Sequence, residues 1–577
     1  MKAETTEKTG TTRWVFPPEP PSALVQPLIR DLGLPFPVAK ILVNRGFDKP
    51  EQADKFLNPK LEELCDPFLL PSMREAVELI IGAIRENEPI MIFGDYDVDG
   101  ITATALMYLV LSRLGAKVSY YLPNRLVEGY GLSEEGFLEA RKRGVSWIIS
   151  VDCGITAVQE IAFGNSLGIR TIITDHHEPA AALPEAAAIV NPKLGDSQLG
   201  EELSGVGIAY KLAQALYNHL GQEEVEEHLD LVALGTLADI VPLTGENRIL
   251  SRFGVQALGR TNKPGLKSLA FVAGLLGKEI SAGQVVFVLA PRINAIGRLG
   301  SAMEAIRLLT TRDEKAAAEI ARLLDGENRK RRSLDEATLE DALARVEREI
   351  DLSKDRAIVL ASDRWHPGVI GIVASRLVER FHRPTIMIAV EGEEGKGSAR
   401  SIHGFHLTEA LKACEAHLLR YGGHKYAAGL SIARSEIESF RQKINEVSRQ
   451  LLSDEDLIPR LAVDAEVGLN EVNDHLVETL ELFAPFGPAN ARPIFVTRGL
   501  ELAGLPVLVG NNHVKFRVRQ GNQLHETIGF GMGSWLPRLL SVAERAGFVD
   551  LAYTLDFNEW NGQKKIQLQL KDIRLLQ

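Results

Sequence analysis

The stretch PIMIFGDYDVDG, residues 89–100, joins a short apolar run to three aspartates at alternate positions, Asp95, Asp97 and Asp99. The apolar run ends at Phe93 and predicts a buried β-strand, and a helical pattern follows the aspartates. Three carboxylates this close repel one another unless a positive charge neutralises them. A solvated turn or a helix cap would need only one aspartate. The stretch therefore predicts a metal site where a strand ends.

Two later apolar runs end in the same way. SWIISVDCG places Asp152 after its run, and RTIITDHHEP places Asp175, His176 and His177 after its own. Adjacent parallel strands bring such loops to one edge of a sheet. Carboxylate and imidazole donors together suit Mn²⁺ or Mg²⁺, and histidine favours Mn²⁺. The histidine pair alone could as easily be structural, but beside the aspartate loops it indicates the same metal site.

A fourth contribution comes from LVALGTLADIVPL, in which Asp239 ends a helix-like apolar stretch. The aspartate would otherwise be a buried, unpaired charge, although on its own a capping role fits equally well. Cys153 is the cysteine nearest to these motifs in the sequence. The carboxylate of its neighbour Asp152 is a better ligand for a hard metal than the Cys153 sulfur. With Cys65 and Cys414, Cys153 is interpreted as structural, which fits a reducing compartment.

Apolar runs alternate with amphipathic stretches between residues 71 and 300, which predicts an α/β domain with a parallel sheet. A charged, breaker-poor segment then predicts a long helix, followed by a smaller α/β domain and short alternating strands typical of an OB-type β-barrel. Order is expected to begin after the proline-rich segment that ends at Pro21. The expected divisions are a flexible N-terminus with a small helical subdomain (1–70), the catalytic domain (71–310), the connecting helix (311–352), the second α/β domain (353–453) and the OB-like domain (461–577).

Bulk composition limits the classes of partner. The 577 residues carry a formal net charge of −12, so any nucleic acid must be bound by locally concentrated basic residues. No apolar run approaches the roughly 18 residues of a spanning helix, and the polar N-terminus lacks a signal-peptide pattern. We therefore expect a cytoplasmic protein without a membrane partner.

The four acidic and histidine segments resemble the motifs of the DHH phosphoesterase family, which is named after the triplet at residues 175–177. The resemblance implies two Mn²⁺ or Mg²⁺ ions, and it leaves open which residues bridge them. Asp175 is expected to orient a ligand histidine. The residues implied as metal ligands are Asp95, Asp97, Asp99, Asp152, His176, His177 and Asp239, and all of these except Asp95 are also expected to be catalytic.

Three segments in the second half, WHPGVIGIVASR (365–376), GSARS (397–401) and GGHKYAAG (422–429), resemble the DHH-associated DHHA1 domain. Glycines there allow backbone approach to phosphates, and arginine and histidine neutralise them. With the length, the N-terminal segments and the predicted barrel, they resemble the single-strand-specific exonuclease branch of the family. That branch implies a basic pocket for the 5′ end, formed by Arg125, Ser398 and Arg400. Further phosphate contacts are expected from Arg298, His366, Arg376, Gly423 and His424.

The function that the resemblance implies is 5′→3′ exonucleolytic degradation of single-stranded DNA to mononucleotides in recombination and repair. In-line hydrolysis would use two cations about 4 Å apart. The barrel would stack and track the strand, with HVKFRVRQ (513–520) as its cationic and aromatic element. Partners implied in the same way are single-strand-binding protein, a RecQ-type helicase and mismatch-repair factors. The 5′→3′ polarity rests on the resemblance alone.

Two other interpretations compete with this one. A DHH phosphodiesterase acting on short oligonucleotides, cyclic dinucleotides or pyrophosphate would share the chemistry, but the barrel and the chain length argue against it. A non-catalytic DNA-binding scaffold should have lost metal ligands, whereas all seven implied ligands are present.

Overall fold

The computed structural model describes residues 12–123, 128–129, 131–195, 200, 202–222, 224–299, 302–560 and 563–576, with the side chains of 224, 297–299, 560 and 563 outside the description. The chain forms two compact units. Unit I consists of Lys55–Lys330 and Phe483–Arg492. Unit II consists of Met1–Asp54, Arg331–Leu482 and Pro493–Gln577.

The first half of the chain is dominated by helices and a set of short strands. Its elements are β1 (Arg13–Val15), α1 (Ser22–Leu32), α2 (Phe36–Asn44), α3 (Pro50–Leu57), α4 (Met73–Arg85), β2 (Ile90–Gly94), α5 (Val98–Arg113), β3 (Val118–Tyr121), α6 (Glu134–Lys142), β4 (Trp147–Val151), α7 (Val158–Ser166), β5 (Arg170–Thr174) and β6 (Ala188–Val190). Helices follow as α8 (Gly205–His219), α9 (Leu229–Asp239), α10 (Gly245–Gly259), α11 (Pro264–Val272), α12 (Ala282–Gln284), α13 (Ala290–Leu299), α14 (Met303–Thr310) and α15 (Glu314–Glu349).

The second half is richer in strands. Its elements are β7 (Ile358–Ser362), α16 (Ile370–Phe381), β8 (Thr385–Glu391), β9 (Glu394–Arg400), α17 (Leu407–Lys412), β10 (Arg420–Gly423), β11 (Ala427–Ala433), α18 (Ile437–Leu451), β12 (Arg460–Ala462), β13 (Ala465–Glu466), α19 (Asp474–Glu481), β14 (Phe495–Leu502), β15 (Val507–Val509), β16 (His513–Gln520), β17 (Gln523–Gly529), α20 (Leu536–Glu544), β18 (Phe548–Trp560) and β19 (Gln563–Leu575). Among the described residues, no helix is long and apolar enough to span a membrane.

Unit I is built on a parallel sheet with the strand order β3-β2-β4-β5-β6. Successive residues of β2 point to opposite faces of the sheet. Ile90 and Ile92 pack with the cluster that includes α5, α8 and α9, whereas Met91 and Phe93 pack with α6 and α7. Helices cover both faces, which explains why the strands are continuously apolar rather than alternating. The predicted parallel α/β core is confirmed.

The order of the strands creates a switch point in the sheet. The chain passes from β2 to β3 on one side and then to β4 on the other side of β2. The loops that leave β2 and β4 therefore diverge and open a crevice at their carboxyl ends. Ligands of open α/β sheets bind in such crevices.

Helix α15 confirms the long helix predicted from the charged segment. It is 36 residues long, and the division between the two units falls within it, between Lys330 and Arg331. Its charged side chains pair along the helix, as in the bond from Arg345 to Asp341 at 2.8 Å.

The smaller α/β sheet of unit II has the order β10-β11-β9-β8-β7, with only β7 and β8 parallel. Residues of β8 alternate between two apolar clusters. Ile386 and Ile388 lie with α17 and α18, and Met387 lies with α16. The predicted second α/β domain is therefore present.

The last strands of unit II form one sheet with the order β13-β14-β18-β19-β17-β16-β15. Because β14 pairs with β16 as well as with β18, the strands close into a ring. Strand β16 carries HVKFRVRQ, and its Phe516 is only 4% exposed. Strand alternation turns Phe516 inward and Arg517 and Arg519 outward, so this element presents cations at its exposed face. The predicted Asn561-Gly562 turn lies outside the described residues.

Order begins earlier than the sequence suggested. Strand β1 pairs in parallel with β12, and the indole Nε1 of Trp14 donates a 2.7 Å hydrogen bond to Asp572. Trp14 is buried with Val496 and Ala552. The expectation that order starts after Pro21 is therefore wrong. The prolines exclude a helix but place no restriction on a strand that precedes them.

Candidate metal centre

The predicted metal ligands lie at the carboxyl edge of the parallel sheet in unit I. Asp95 follows β2, Asp152 follows β4, and the triplet at residues 175–177 follows β5. Asp239 is the last residue of α9, a helix that packs against α5. The site therefore forms at the switch point between β2 and β4, where the topology opens the sheet.

Three overlapping groups of side chains could each hold a metal ion. Within a group, one ligand atom from each residue lies within 4.8 Å of the others. The groups are Asp95, Asp97 and Asp152; Asp99, His176 and Asp239; and Asp152, His176 and His177. Asp152 and His176 each occur in two groups, so they connect the three into one cluster. The structure thus brings together all seven residues that the sequence predicted as ligands.

The loop after β2 is held in shape by Asp97 and Gly100. Asp97 caps α5, and its Oδ1 accepts hydrogen bonds from the backbone N–H groups of Asp99 (2.9 Å) and Gly100 (3.1 Å). A Cβ on Gly100 would lie 2.6 Å from the backbone of Asp95. The glycine is therefore required for the loop to fold back, and the cap orients one of the two Asp97 oxygens.

Asp99 is held by the N-terminus of α8. Its Oδ2 accepts from the N–H of Gly205 at 2.6 Å, and its Oδ1 accepts from the N–H of Val206 at 2.9 Å. The positive end of the helix dipole stabilises a carboxylate in this position. Even so, burial and the negative charges of Asp239 and Asp97 raise the pKa of Asp99 well above its usual value.

Asp152 occupies a backbone conformation that few non-glycine residues adopt. Its φ is +61°, in the left-handed region, which costs energy for most side chains and is often found at functional sites. A Cβ on Gly205 would lie 2.5 Å from the Asp152 side chain. Burial, followed by repulsion from the neighbouring aspartates, raises the pKa of Asp152 well above its usual range.

His176 lies between two of the carboxylates. Its Nε2 is 3.1 Å from Oδ1 of Asp152 and 3.7 Å from Oδ2 of Asp239. Among the described residues, neither Nε2 of His176 nor Oδ2 of Asp239 makes a hydrogen bond, although both atoms are buried. Buried polar atoms normally have a partner, so this pair of atoms fits a ligand position.

The charge balance of the cluster also fits a bound cation. Burial lowers the pKa of His176 to about 4, so its imidazole is neutral at neutral pH and can coordinate a metal. Burial and the charge of Asp97 raise the pKa of Asp239 to about 7. The raised pKa values mean that ionisation of these carboxylates is unfavourable without a compensating positive charge. Hard oxygen donors with imidazole match Mn²⁺ or Mg²⁺.

Asp175 holds the histidine pair in place. Its Oδ1 lies 2.7 Å from Nδ1 of His177 and accepts from the backbone N–H groups of His176 and His177. Its Oδ2 accepts from the N–H of Ile155 at 2.9 Å. Burial opposes protonation of His177, but the bond to Asp175 outweighs it and raises the pKa of His177. With Nδ1 engaged by Asp175, only Nε2 of His177 remains for a ligand.

Cys153 takes no part in this cluster. Its thiol is buried and lies 3.8 Å from the carbonyl oxygen of Phe93. Burial, with repulsion from nearby aspartates, raises the pKa of the Cys153 thiol well above its usual value. A protonated thiol is a poor metal ligand, which agrees with its interpretation as a structural residue.

In unit II, several predicted phosphate-binding residues share one end of the smaller sheet. The Arg400 guanidinium donates to Oγ of Ser398 at 3.2 Å, and a Cβ on Gly371 would meet that Oγ at 2.8 Å. Ser398 and Arg400 therefore lie beside the first turn of α16. Strand pairing places Gly423 opposite Ala428 and Arg400 opposite Ala427, and the exposed His424 follows Gly423 directly.

The other predicted contacts have partners of their own or lie outside the description. His366 precedes α16, and its Nδ1 accepts from the N–H of Gly368 at 3.0 Å. Arg376 lies further along α16 and pairs with the buried Asp335 at 3.1 Å. Arg125 and the side chain of Arg298 lie outside the described residues.

Two supporting features were missed from the sequence. The first is the N-terminus of α8, where Ser204 caps the helix and hydrogen-bonds Thr236 of α9 at 2.8 Å. The second is Asn191, which follows β6 and donates to the carbonyl oxygen of His177 at 3.0 Å. Both had a detectable signal in the sequence. Ser204 precedes a helical pattern, as a capping residue does, and Asn191 is a polar residue at a strand end, like the predicted ligands.

Three family models match successive parts of the chain. The DHH family N-terminal domain matches residues 89–236, the DHHA1 domain matches 354–450, and the RecJ OB domain matches 463–572. Six of the seven clustered ligands lie in the first range, and Asp239 lies just beyond it.

Comparison of the whole chain with known proteins identifies the family more specifically than the three domain matches do. The single-stranded-DNA-specific exonuclease RecJ of Bacillus subtilis is 40% identical over 565 residues, which cover 97% of this chain and 70% of that protein. The chain belongs to the RecJ family. RecJ of Escherichia coli K12 is 36% identical over 87% of this chain and 90% of its own.

A solved structure extends the likeness to the fold. RecJ from Thermus thermophilus in complex with Mn²⁺ matches 98% of this chain and 79% of its own, with a TM-score of 0.83 and 32% identity. The RecJ-family match thus includes the parallel α/β core, the DHHA1 domain and the OB domain.

Proposed function

We propose that this chain is a metal-dependent exonuclease that hydrolyses single-stranded DNA from the 5′ end to mononucleotides. The observation that carries the proposal is the cluster of carboxylates and imidazoles at the switch point, in a chain of the RecJ family. All seven predicted ligands are present and assembled, which argues against a non-catalytic scaffold. The RecJ OB match and the coverage of RecJ proteins favour this function over a phosphodiesterase for small substrates.

The proposed cofactors are two Mn²⁺ or Mg²⁺ ions. Their proposed ligands are Asp95, Asp97, Asp99, Asp152, His176, His177 and Asp239, in the three overlapping groups. Asp152 belongs both to the group of aspartates and to the group with both histidines, so it would contribute to both parts of the metal centre. Asp175 is proposed as the residue that orients His177.

When bound, the ions supply the positive charge that activates a water molecule and stabilises the phosphate in the transition state. The protein supplies a rigid frame for them. The α8 N-terminus orients Asp99, and the bond between Asp175 and His177 fixes the histidine tautomer. A water molecule would be the nucleophile, so no side chain would have to form a covalent intermediate with DNA.

We propose that Ser398 and Arg400 bind the 5′ phosphate, and Arg125 is proposed from the sequence as a further phosphate contact. The hydroxyl, the guanidinium and the first turn of α16 lie together, and such groups bind phosphate through charge-assisted hydrogen bonds. Gly423, His424, His366, Arg376 and Arg298 are proposed as further phosphate contacts. Arg376 would then have to exchange its pair with Asp335 or share it.

The OB domain is proposed to bind the incoming single strand through exposed cations of β16, including Arg517 and Arg519. We retain the sequence-based domain limits 1–70, 71–310, 311–352, 353–453 and 461–577 as proposals, because each matched family range falls inside one of them. Roles in recombination and repair fit the family. Single-strand-binding protein, a RecQ-type helicase and mismatch-repair factors are proposed partners, and a cytoplasmic location is proposed because it fits a DNA substrate.

The decisive experiment is a time course on linear single strands labelled at the 5′ or the 3′ end, with Mn²⁺, with Mg²⁺ and with EDTA. Release of labelled mononucleotide from the 5′ end first, only with metal, is expected. A circular single strand of the same sequence serves as the matched control and should persist. Early release of the 3′ label would contradict the polarity, and degradation of the circle would contradict an obligate exonuclease.

A further inference from the structure

A short segment from the second half of the chain is part of unit I. Residues Phe483–Arg492 fall within the range matched by the RecJ OB domain, yet they pack as a component of unit I. Phe483 is fully buried, and its ring meets that of Phe56 edge to face at 5.3 Å. We call residues 483–492 the docking segment.

The docking segment is fixed by polar contacts as well as by packing. The buried Arg248 donates a 2.6 Å hydrogen bond to the carbonyl oxygen of Phe483 and a 3.0 Å bond to that of Phe56. Within the segment, Nδ2 of Asn490 donates to the carbonyl oxygens of Phe483 and Pro485, at 2.8 and 2.9 Å. These contacts hold the segment in one shape.

The segment also contacts the loop that follows the proposed metal ligand Asp239. The N–H of Leu243 donates to the carbonyl oxygen of Pro488 at 2.9 Å. Leu243 is 1% exposed, and a Cβ on Gly487 would lie 2.6 Å from its Cδ1 and 3.1 Å from its Cγ. The segment therefore fits against Leu243 with no space to spare.

The loop between Asp239 and Leu243 has little freedom of its own. Ile240 has a φ of +64°, an unfavourable conformation for a β-branched residue. The carbonyl oxygen of Pro242 accepts a bond from Nδ2 of Asn247 at 3.1 Å. A shift of Leu243 would therefore also move Asp239, which lies four residues earlier in the chain, and its carboxylate.

From these contacts we infer that the docking segment is a positioning element for Asp239, so that the RecJ OB region helps to set the affinity of the metal site. The inference rests on the proposed role of Asp239 as a metal ligand. Gly487, Pro488 and Leu243 act through Asp239 and touch neither metal nor DNA.

The test is a double-mutant cycle between Gly487 and Leu243. Gly487→Ala adds a Cβ against the Leu243 side chain, and Leu243→Ala removes both atoms that it would meet. Mn²⁺ binding is measured by titration calorimetry on the full-length chain, and the Mn²⁺ dependence of exonuclease rate is measured beside it. We expect Gly487→Ala to weaken Mn²⁺ binding at least fivefold, with kcat at saturating Mn²⁺ and KM for DNA within twofold of wild type. The double variant should bind Mn²⁺ more tightly than Gly487→Ala.

Gly259→Ala is the matched control, because a Cβ at that position in unit I meets nothing within 4 Å. It should leave Mn²⁺ affinity unchanged. Wild-type affinity in a folded Gly487→Ala would overturn the inference, as would equal losses in the single and double variants. If Gly487→Ala does not fold, Asn490→Ala, which removes two bonds that shape the segment without adding atoms, replaces it under the same criterion.

The same experiment separates this inference from the proposed function. If wild type does not bind Mn²⁺, or if Asp239→Ala binds it as well as wild type does, the proposed ligand set fails. If wild type binds Mn²⁺, Asp239→Ala loses affinity and Gly487→Ala does not, only the positioning role fails.

Discussion

The side chain of Asp152 occupies the space that a Cβ on Gly205 would need, since that atom would lie 2.5 Å from it. Gly205 also donates its N–H to Asp99. One glycine at the start of α8 is therefore packed against one proposed metal ligand and hydrogen-bonded to another. A side chain at this position must displace Asp152 or move the helix.

We expect Gly205→Ala to reduce exonuclease activity by roughly 10- to 100-fold, the range for changes that disturb the support of a metal ligand. Activity should recover in part at high Mn²⁺, because the ligands are displaced rather than lost. Gly326→Ala, whose Cβ meets nothing within 4 Å, is the control. Wild-type activity at low Mn²⁺ in Gly205→Ala would argue against the close fit.

Removing Asp152 should have a larger effect than removing its neighbour Asp175. Asp152→Ala deletes the residue shared by two ligand groups and should abolish measurable hydrolysis. Asp175→Asn keeps the shape but weakens the bond to His177 and should cost about 10- to 100-fold. Rates on a labelled single strand, with circular dichroism as the check on folding, decide the order. The reverse order would make Asp175 the ligand and Asp152 its support.

The raised pKa of Asp239 predicts a pH-dependent penalty in the metal-free protein. Its pKa moves from 3.8 to about 7 on folding, so the folded form binds more protons and stability falls as pH rises across this interval. In EDTA, Asp239→Asn should therefore melt higher than wild type at pH 8, and the difference should shrink at pH 5. Thermal unfolding measures both. A constant difference at the two pH values would contradict the shift.

Added Mn²⁺ should reverse that comparison. A cation bound only by the folded protein raises its melting temperature, and the gain should be larger for wild type than for Asp239→Asn at pH 8.

Arg400 should determine the preference for a 5′ phosphate. Hydrogen bonds to charged groups contribute about 1.5 to 3 kcal/mol, so Arg400→Ala should raise KM for a 5′-phosphorylated strand about 10-fold or more. The effect on a 5′-hydroxyl strand should be small. Lys396→Ala removes the same charge from the same face of β9, and it should affect both strands alike. If both variants raised KM for the two strands equally, the proposed 5′-phosphate pocket at Ser398 and Arg400 would be contradicted.

Arg517 is exposed on β16 and should contact phosphates of a long strand. Arg517→Ala is expected to weaken binding of long single strands and to reduce the slope of affinity against salt by about one contact. Rates on very short oligonucleotides should be unchanged. Arg545→Ala, an exposed arginine after α20, controls for the loss of charge. An unchanged slope in Arg517→Ala would indicate another role for this face.

Local sequence patterns were sufficient for much of the fold and for the residues that the structure brings together in the candidate metal centre. Continuously apolar runs marked β2, β4 and β5, and polar residues at their ends marked the site, because parallel topology collects strand ends at one edge. Asp239 could be predicted as a ligand only because it is a charged residue at the end of an apolar helical stretch. The contact of Asp99 with Gly205 could not be predicted from the sequence, because the periodicity of apolar residues does not indicate which helix N-terminus will face a given carboxylate.

Long-range pairing limited the prediction elsewhere. Strand β1 is too short and too close to prolines to be recognised, and its partner lies at Arg460–Ala462. The pattern HVKFRVRQ predicted a cationic and aromatic element, but it did not predict that Phe516 is buried, because burial depends on which face of β16 turns inside the ring of strands. A cut near Ser453 would remove the partner strand of β1 and would also delete the docking segment from unit I.

The docking segment has a consequence for the order in which the protein matures on the ribosome. Translation proceeds at about 5 to 20 residues per second and domains usually fold as they emerge. Residues 55–330 leave the ribosomal exit tunnel long before Phe483 does. Until residue 492 has been made, the surface around Phe56 and Leu243 has no docking segment to cover it. If Asp239 reaches its final position only then, a nascent chain carries every ligand yet remains a poor nuclease. The cell would be exposed to active enzyme only after the second α/β domain, with its proposed phosphate-binding residues, has been made.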